Sequence, residues 1–195
     1  MQAMFKGKDI LKNMLNKAWG LIVAADSTWD SIASEQASVT TIRKNYIYPW
    51  ILCGVILSFI FNGIYAPARP IEAALVHAII TLLSLTGGYY ISNLVCFAYL
   101  NKYKPDLASK NKCETIVGYS YTIIILIEIL ITIMPSLFFL RILSLFVAYS
   151  VWEGSRAIWQ LNEEERGSVV LIFSIIIIFM PIIVNKIIHI LLPNA

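Results

Sequence analysis

Two long apolar runs joined by a short break dominate the chain between Thr115 and Arg166. Each run is long enough, or nearly so, to cross a bilayer core of ~30 Å at a helical rise of ~1.5 Å per residue. The break is Met134-Pro135-Ser136 and carries no charge. We therefore predict a tight helical hairpin that turns at one face of a membrane.

Each arm of this hairpin contains one charged residue, Glu128 in the first arm and Arg141 in the second. They lie 7 residues before and 6 residues after Pro135, so at helical rise both are ~9–10 Å from the turn. An unpaired charge at such a depth costs at least ~2.5–3.5 kcal/mol on insertion scales. We predict that the two side chains form an intramembrane ion pair. The alternative is that Arg141 extends along its own stem to the interface, while Glu128 is protonated or bonds a neighbouring hydroxyl.

The low charge content of the whole chain indicates that the hairpin belongs to a larger membrane domain. The chain is 58% hydrophobic and 14% charged, whereas a soluble domain carries about 25% charged residues. The sequence predicts an all-α polytopic membrane protein with five transmembrane helices and short amphipathic N-terminal helices. Residues 1–45 form a cytoplasmic N-terminal amphipathic segment, and residues 46–192 form the membrane domain. The spans are expected at about 47–66, 73–100, 115–133, 137–152 and 169–192.

Residues 8–23 have the pattern of an amphipathic helix. Leu11, Leu15, Trp19 and Ile22 follow one another at spacings of 4, 4 and 3 residues, so they share one helical face. Lysines and asparagines lie largely off that face. A basic helix of this kind can lie in the interface of an anionic leaflet. Packing against the cytoplasmic face of the protein itself is an equally open alternative.

A second short helix is expected next, with a start at Ser27 and Asp30 that resembles a capping box. Trp29 and Ile32 share one face of this helix. A basic pair at 43–44 then closes the N-terminal segment where the first span begins.

The second span carries a polar stripe at helical spacing. Its members are His77, Thr81, Ser84, Gly88 and Ser92. Small and polar groups pack between membrane helices, so this stripe is predicted to face the bundle interior. Gly87-Gly88 is a candidate for a kink. His77 has no partner at ligand spacing, which argues against a metal site or a proton relay at this position.

The distribution of basic residues predicts the orientation of the chain. Lysine and arginine number 6 before the first span, 4 between the second and third, and 2 between the fourth and fifth. With five spans, these 12 residues share one side of the membrane. The other side has only Arg69 and Lys186. By the positive-inside rule the N-terminus is cytoplasmic and the C-terminus is extracytoplasmic.

The sequence offers no chemistry that would make the protein an enzyme. It contains no H-E-x-x-H or G-x-S-x-G motif, no pair of membrane aspartates and no phosphate-binding glycine loop. Its three cysteines are far apart and form no CxxC motif, which supports neither a disulfide framework nor a zinc site. We therefore assign no catalytic, cofactor-binding or metal-ligating residues. No cofactor and no nucleic-acid partner are expected.

Several short motifs follow one another at characteristic spacings around the five spans. They are residues 27–32 (STWDSI), Tyr48-Pro49, residues 114–120 (ETIVGYS), Pro135 at the hairpin turn, and residues 149–154 followed by Arg156-Ala157. On these motifs the chain, from about Trp19 to Ile190, resembles the Ypt-interacting-protein (Yip) domain family in its bacterial form.

The resemblance implies a five-span integral membrane protein with a cytoplasmic N-terminus and no catalytic residues. Eukaryotic members of the family act in vesicle trafficking and bind Rab-type GTPases through their cytoplasmic part, a role that does not transfer directly to this short N-terminal segment. We expect a non-enzymatic Yip-like scaffold or membrane-organising protein of a bacterial inner membrane. Its expected partners are membrane lipids and either another membrane protein or a second copy of the chain. The alternative is a small transporter, or an accessory subunit of one, with Glu128, Arg141 and the polar stripe lining the path.

Overall fold

The computed structural model describes residues 2–191, with side chains from Ile10 onward, and its regular elements are all helical. In chain order they are α1 (Gln2–Val23), α2 (Ala25–Glu35), α3 (Val39–Tyr65), α4 (Pro70–Tyr103), α5 (Lys110–Ile133), a 3-10 segment (Pro135–Leu145), α6 (Phe146–Trp159) and α7 (Glu163–Leu191). Five of these stretches are long and apolar enough to cross a membrane, counting the 3-10 segment and α6 as one. The all-α class and the number of long apolar helices are therefore confirmed.

The long helices extend beyond the apolar runs that predicted them. The first begins at Val39 rather than near 47, and the second runs over Pro70–Tyr103 rather than 73–100. Polar residues continue a helix as readily as apolar ones, so hydropathy locates a run but not the ends of its helix. Residue 192, the predicted end of the last span, lies outside the described residues.

The start of α3 contains a π-helical turn over Arg43–Ile47. Ser38 caps the helix, and its hydroxyl accepts a hydrogen bond from the backbone N–H of Thr41 at 3.2 Å. Pro49 follows the turn, and a proline ring collides with the carbonyl four residues earlier in a regular α-helix. The wider turn relieves that collision, and Tyr48 N–H bonds the Arg43 carbonyl instead. Single π-turns often accompany functional positions.

The hairpin turns at Met134, as the break in the apolar runs predicted. Met134 leaves helical conformation at φ −135° and ψ 88°, because a residue before proline disfavours the α region. The predicted α-helix over 137–152 is only partly correct. Its first half, Pro135–Leu145, is a 3-10 segment divided by a kink at Leu137 (φ −86°, ψ 21°), and 3-10 runs longer than 3–4 residues are uncommon.

Helix α5 lies at the centre of the bundle. In its most apolar window 61% of the residues are buried, against 17–33% in the other four long stretches. The Tyr121 hydroxyl donates to the Leu85 carbonyl of α4 at 2.9 Å. Ser120 and Ser150 share a hydrogen bond of 3.1 Å between α5 and α6. The buried polar groups of α5 therefore fix its position relative to α4 and α6.

The polar stripe of α4 faces the bundle interior, as predicted, at Ser84, Gly88 and Ser92, all of which are buried. The helix runs unbroken through its two glycines. A Cβ atom on Gly88 would lie 2.7 Å from the Pro181 Cα of α7. Gly88 therefore permits a close approach of α4 and α7.

Helices α1 and α2 pack against the end of the bundle that holds the starts of α3 and α5, which we call the docked end. The opposite end, at Met134, we call the hairpin end. Trp29 of α2 is fully buried; it packs edge-on against Tyr119 at 6.0 Å between ring centroids and lies over Gly154 of α6. Ile32, which shares a face of α2 with Trp29, is buried as well. The expected capping box at Ser27 is wrong, because α2 begins at Ala25 without a side-chain cap.

Candidate functional site

The structure brings Glu128 and Arg141 together at the hairpin end. The Arg141 Nη2 atom lies 3.4 Å from the carboxylate of Glu128. The Glu128 side chain is 35% exposed and the Arg141 side chain is 57% exposed. Arg141 lies on the 3-10 segment, whose rise of ~2.0 Å per residue places it farther from the turn than an α-helix would. The long arginine side chain compensates for this difference in depth.

Both residues line a large cleft of about 780 Å³. Helices α5 and α7, the 3-10 segment and α6 form its walls, and polar groups of α4 reach its floor. Asn185 of α7 donates to the Ser84 hydroxyl at 3.2 Å across this floor. The neighbouring Lys186 also lines the cleft, so its hairpin end holds two basic groups and one acidic group.

A second ion pair, absent from the sequence-based prediction, lies at the docked end. Arg43 donates from Nε to Oε1 of Glu114 at 2.6 Å and from Nη2 to Oε2 at 2.7 Å. Glu114 is only 2% exposed and Arg43 is 25% exposed. Charge-assisted, bidentate arginine–carboxylate pairs are among the stronger hydrogen-bonded contacts in proteins. This pair ties the π-turn of α3 to the first turns of α5.

Tyrosines complete the surroundings of this ion pair. The Tyr89 hydroxyl of α4 also donates to Glu114 Oε1. The Arg43 guanidinium lies 4.9 Å from the centroid of the Tyr90 ring, and Tyr90 shares a 2.5 Å hydrogen bond with Tyr48. The predicted third span begins at 115, which leaves Glu114 just outside it, so the pair was not predicted. An acid directly before an apolar run and a base before another run is the signal that could have revealed it.

A third polar cluster fixes α1 to the bundle. Lys17 Nζ donates to Glu35 Oε2 at 2.5 Å and to the Tyr119 hydroxyl at 3.3 Å. Partial burial is the largest single effect and lowers the pKa of the Lys17 ammonium. The hydrogen bond to Glu35 and the interactions with Tyr119 together outweigh it, so the pKa lies above its ordinary value. Arg156 connects α6 to α2, because its Nη2 atom donates to Asp30 Oδ1 at 3.0 Å.

These contacts decide which face of α1 meets the protein. The buried face consists of Met14, Ala18 and Leu21, together with Lys17. The predicted apolar row points away from the protein, with Leu11, Leu15, Trp19 and Ile22 exposed by 52%, 48%, 69% and 46%. Helix α1 therefore packs on the bundle and still presents an apolar surface outward.

In the part of the chain that the structure describes, no three His, Cys, Asp or Glu side chains are grouped to hold a metal ion. The three cysteines are free. His77 is half-buried in α4 and is not part of such a group.

No protein-family model matches the chain, and comparison with curated proteins and with solved structures finds no significant match. The resemblance to the Yip domain family therefore stays a prediction from the motifs and the order of the spans.

Proposed function

We propose that the chain is a non-enzymatic integral membrane protein of Yip type that organises the leaflet around its docked end. The observation that carries this proposal is the apolar row of α1. Lys17 and Trp29 help to fix α1 and α2 on the bundle, while Leu15 and Trp19 remain exposed. A helix held in this way would insert its apolar side into a lipid headgroup region without leaving the protein.

The depth of α1 supports contact with lipid. Lys17 bonds Tyr119, which lies 9 residues after Lys110 at the start of α5 and hence about 14 Å along that helix. Helix α1 therefore lies beside the ends of the long helices rather than beyond them. Interfacial helices bury their apolar face about 5–10 Å into the boundary between headgroups and acyl chains.

In the proposed orientation, the docked end lies at the cytoplasmic face of a bacterial inner membrane. The split of 12 basic residues against 2 supports it. A reporter fused after Ala195 should be extracytoplasmic, and one inserted in the 104–109 loop should be cytoplasmic. Two reporters on the same side would contradict five spans.

The contact between α1 and lipid can be tested with the full chain in vesicles. Trp19 is 69% exposed, whereas Trp29, Trp50 and Trp159 are at most 8% exposed. Lipids brominated near the headgroup should quench the emission of Trp19, obtained as the difference from a Trp19→Phe variant, more strongly than lipids brominated near the chain ends. If neither lipid quenches the emission of Trp19, α1 lies in water.

The membrane-organising role predicts that reconstituted protein changes the size or shape of anionic vesicles. Leu15→Ser with Trp19→Ser should largely abolish this change, since the substitutions remove apolar area but leave Lys17 in place. Tyr103→Ser is a matched control, because Tyr103 is also exposed at the docked end, by 62%, but lies on α4. Loss of vesicle remodelling in the control alone, or no remodelling by the native chain, would refute the role.

Transport is the second candidate function, and the cleft with its charged hairpin end favours it. A transport path requires solute or ion flux across a vesicle membrane. Substrate-saturable flux that Glu128→Gln abolishes would replace the membrane-organising proposal.

A further inference from the structure

We propose that the cleft beside the 3-10 segment holds one singly anionic phospholipid, with its phosphate at Arg141 and Lys186 and an acyl chain along the apolar walls. This inference rests on the proposed membrane location. It is independent of α1, which lies at the other end of the bundle.

The cleft is long enough for an acyl chain of one leaflet. It is lined from Gly167 near the start of α7 to Lys186 near its end. These residues are 19 positions apart, or about 28 Å of helix, whereas one leaflet takes half of the ~30 Å of a bilayer core. Its volume of about 780 Å³ lies within the range of about 300–1,000 Å³ that ligand pockets have.

The charges select the headgroup. Arg141 and Lys186 are basic, and Glu128 is the acid that lines the same end of the cleft. Among the residues that the structure describes, Lys186 has no ion-pair partner. Arg141 is held only by the 3.4 Å contact to Glu128. The three groups sum to one positive charge, which one phosphodiester neutralises. Arginine binds phosphate through charge-assisted hydrogen bonds, and lysine binds it as a point charge.

The rest of the wall suits an acyl chain. Ile142 and Leu145 of the 3-10 segment are 69% and 65% exposed, and Leu171 of α7 is 63% exposed. No residue of the 3-10 segment is buried, so its side chains on this wall are open to an acyl chain. An apolar helix of a second copy would cover the wall but leave Arg141 and Lys186 facing apolar side chains. A phospholipid satisfies both ends.

The experiment measures binding of phosphatidylglycerol and phosphatidylethanolamine to the full chain in detergent by native mass spectrometry. The native chain should prefer phosphatidylglycerol. Lys186→Gln should weaken phosphatidylglycerol binding about tenfold or more, the loss expected for one charge-assisted contact, with little change for phosphatidylethanolamine. Arg69→Gln is the matched control, since Arg69 is an exposed base paired with Glu72 on the surface and does not line the cleft.

A steric variant tests the same site if a charge variant is unstable. Ala148 lines the cleft, so Ala148→Phe should displace the lipid without altering any charge. Leu94→Phe on the exposed face of α4 should leave binding intact. Equal affinity for the two lipids, equal losses in Lys186→Gln and Arg69→Gln, or a dimer that Ala148→Phe dissociates would overturn the proposal. None of these outcomes bears on the vesicle-shape test of α1.

Discussion

The guanidinium of Arg43 binds both carboxylate oxygens of Glu114, at 2.6 and 2.7 Å, across the first turns of α3 and α5. Arg43 reaches Glu114 from a π-turn that Pro49 imposes on α3. Tyr89 adds a third helix to the same carboxylate. One buried acid thus fixes the relative positions of three helices at the docked end.

Breaking this pair should strongly destabilise the protein. Arg43→Gln or Glu114→Gln should each cost about 3–5 kcal/mol, because the remaining charge is left without its partner. The double variant should cost clearly less than the sum of the two. Thermal unfolding in detergent measures the coupling. The exposed pair Arg69–Glu72 is the control, with at most about 1 kcal/mol; a coupling as small at Arg43–Glu114 would contradict a structural role.

The pair of Glu128 and Arg141 should show a smaller coupling than Arg43–Glu114. Its contact of 3.4 Å is longer than the two bonds of Arg43–Glu114, at 2.6 and 2.7 Å, and the attraction between opposite charges weakens with distance. A double-mutant cycle with Glu128→Gln and Arg141→Gln should give a positive coupling below that of the docked end. Strict additivity of the two changes would show that the side chains do not pair.

Two adjacent glycines should respond differently to alanine. In Gly88→Ala the new Cβ would lie 2.7 Å from the Pro181 Cα atom, so α4 and α7 must separate, at a cost of about 1–3 kcal/mol. In Gly87→Ala the nearest atom is a Val184 methyl at 3.1 Å, which a small rotation relieves. Unfolding temperatures of the two variants check this ordering, and a larger loss in Gly87→Ala would refute the close packing.

Docking of α2 should depend on the absence of a side chain at Gly154. A Cβ there would lie 3.0 Å from the Trp29 ring, and the branched side chain of Gly154→Val would displace the indole. Limited proteolysis should then cleave faster at the turn around Gln36. Gly167→Val is the control, because nothing lies within 4 Å of a Cβ at Gly167; cleavage should stay at the native rate.

The attachment of α1 should weaken at alkaline pH. The raised pKa of Lys17 means that its contribution to stability is fully present below its ordinary value of 10.5 and is lost as the pH rises through the higher folded value. The difference in unfolding temperature between the native chain and Lys17→Gln should be constant up to about pH 10 and shrink above it. Tyr119→Phe should weaken this pattern, since Tyr119 contributes two of the interactions that raise the pKa of Lys17. A difference that shrinks near neutral pH would assign the titration to another group.

The sequence by itself determined the features that depend on local composition. Apolar runs too long for a soluble helix predicted the five long helices, and Pro135 predicted the turn between the two arms of the hairpin. The helical spacing in α4 correctly predicted the inward position of Ser84 and Ser92. Each of these features follows from residues close together in the chain, whose periodicity and backbone preferences act without a partner.

Only the tertiary structure decided which surfaces and charges meet. The spacing of Leu11 and Trp19 defined an apolar face, but not that the adjacent face, with Ala18 and Leu21, would contact the bundle. From the sequence, Glu114 lies just outside the third predicted span. Its burial is explained by its contact with Arg43, which is 71 positions away. Burial of a charge depends on a partner brought from a distant segment, and a single sequence contains no direct record of that distance. The cleft likewise exists because the 3-10 segment packs on α5 but makes little contact with α7.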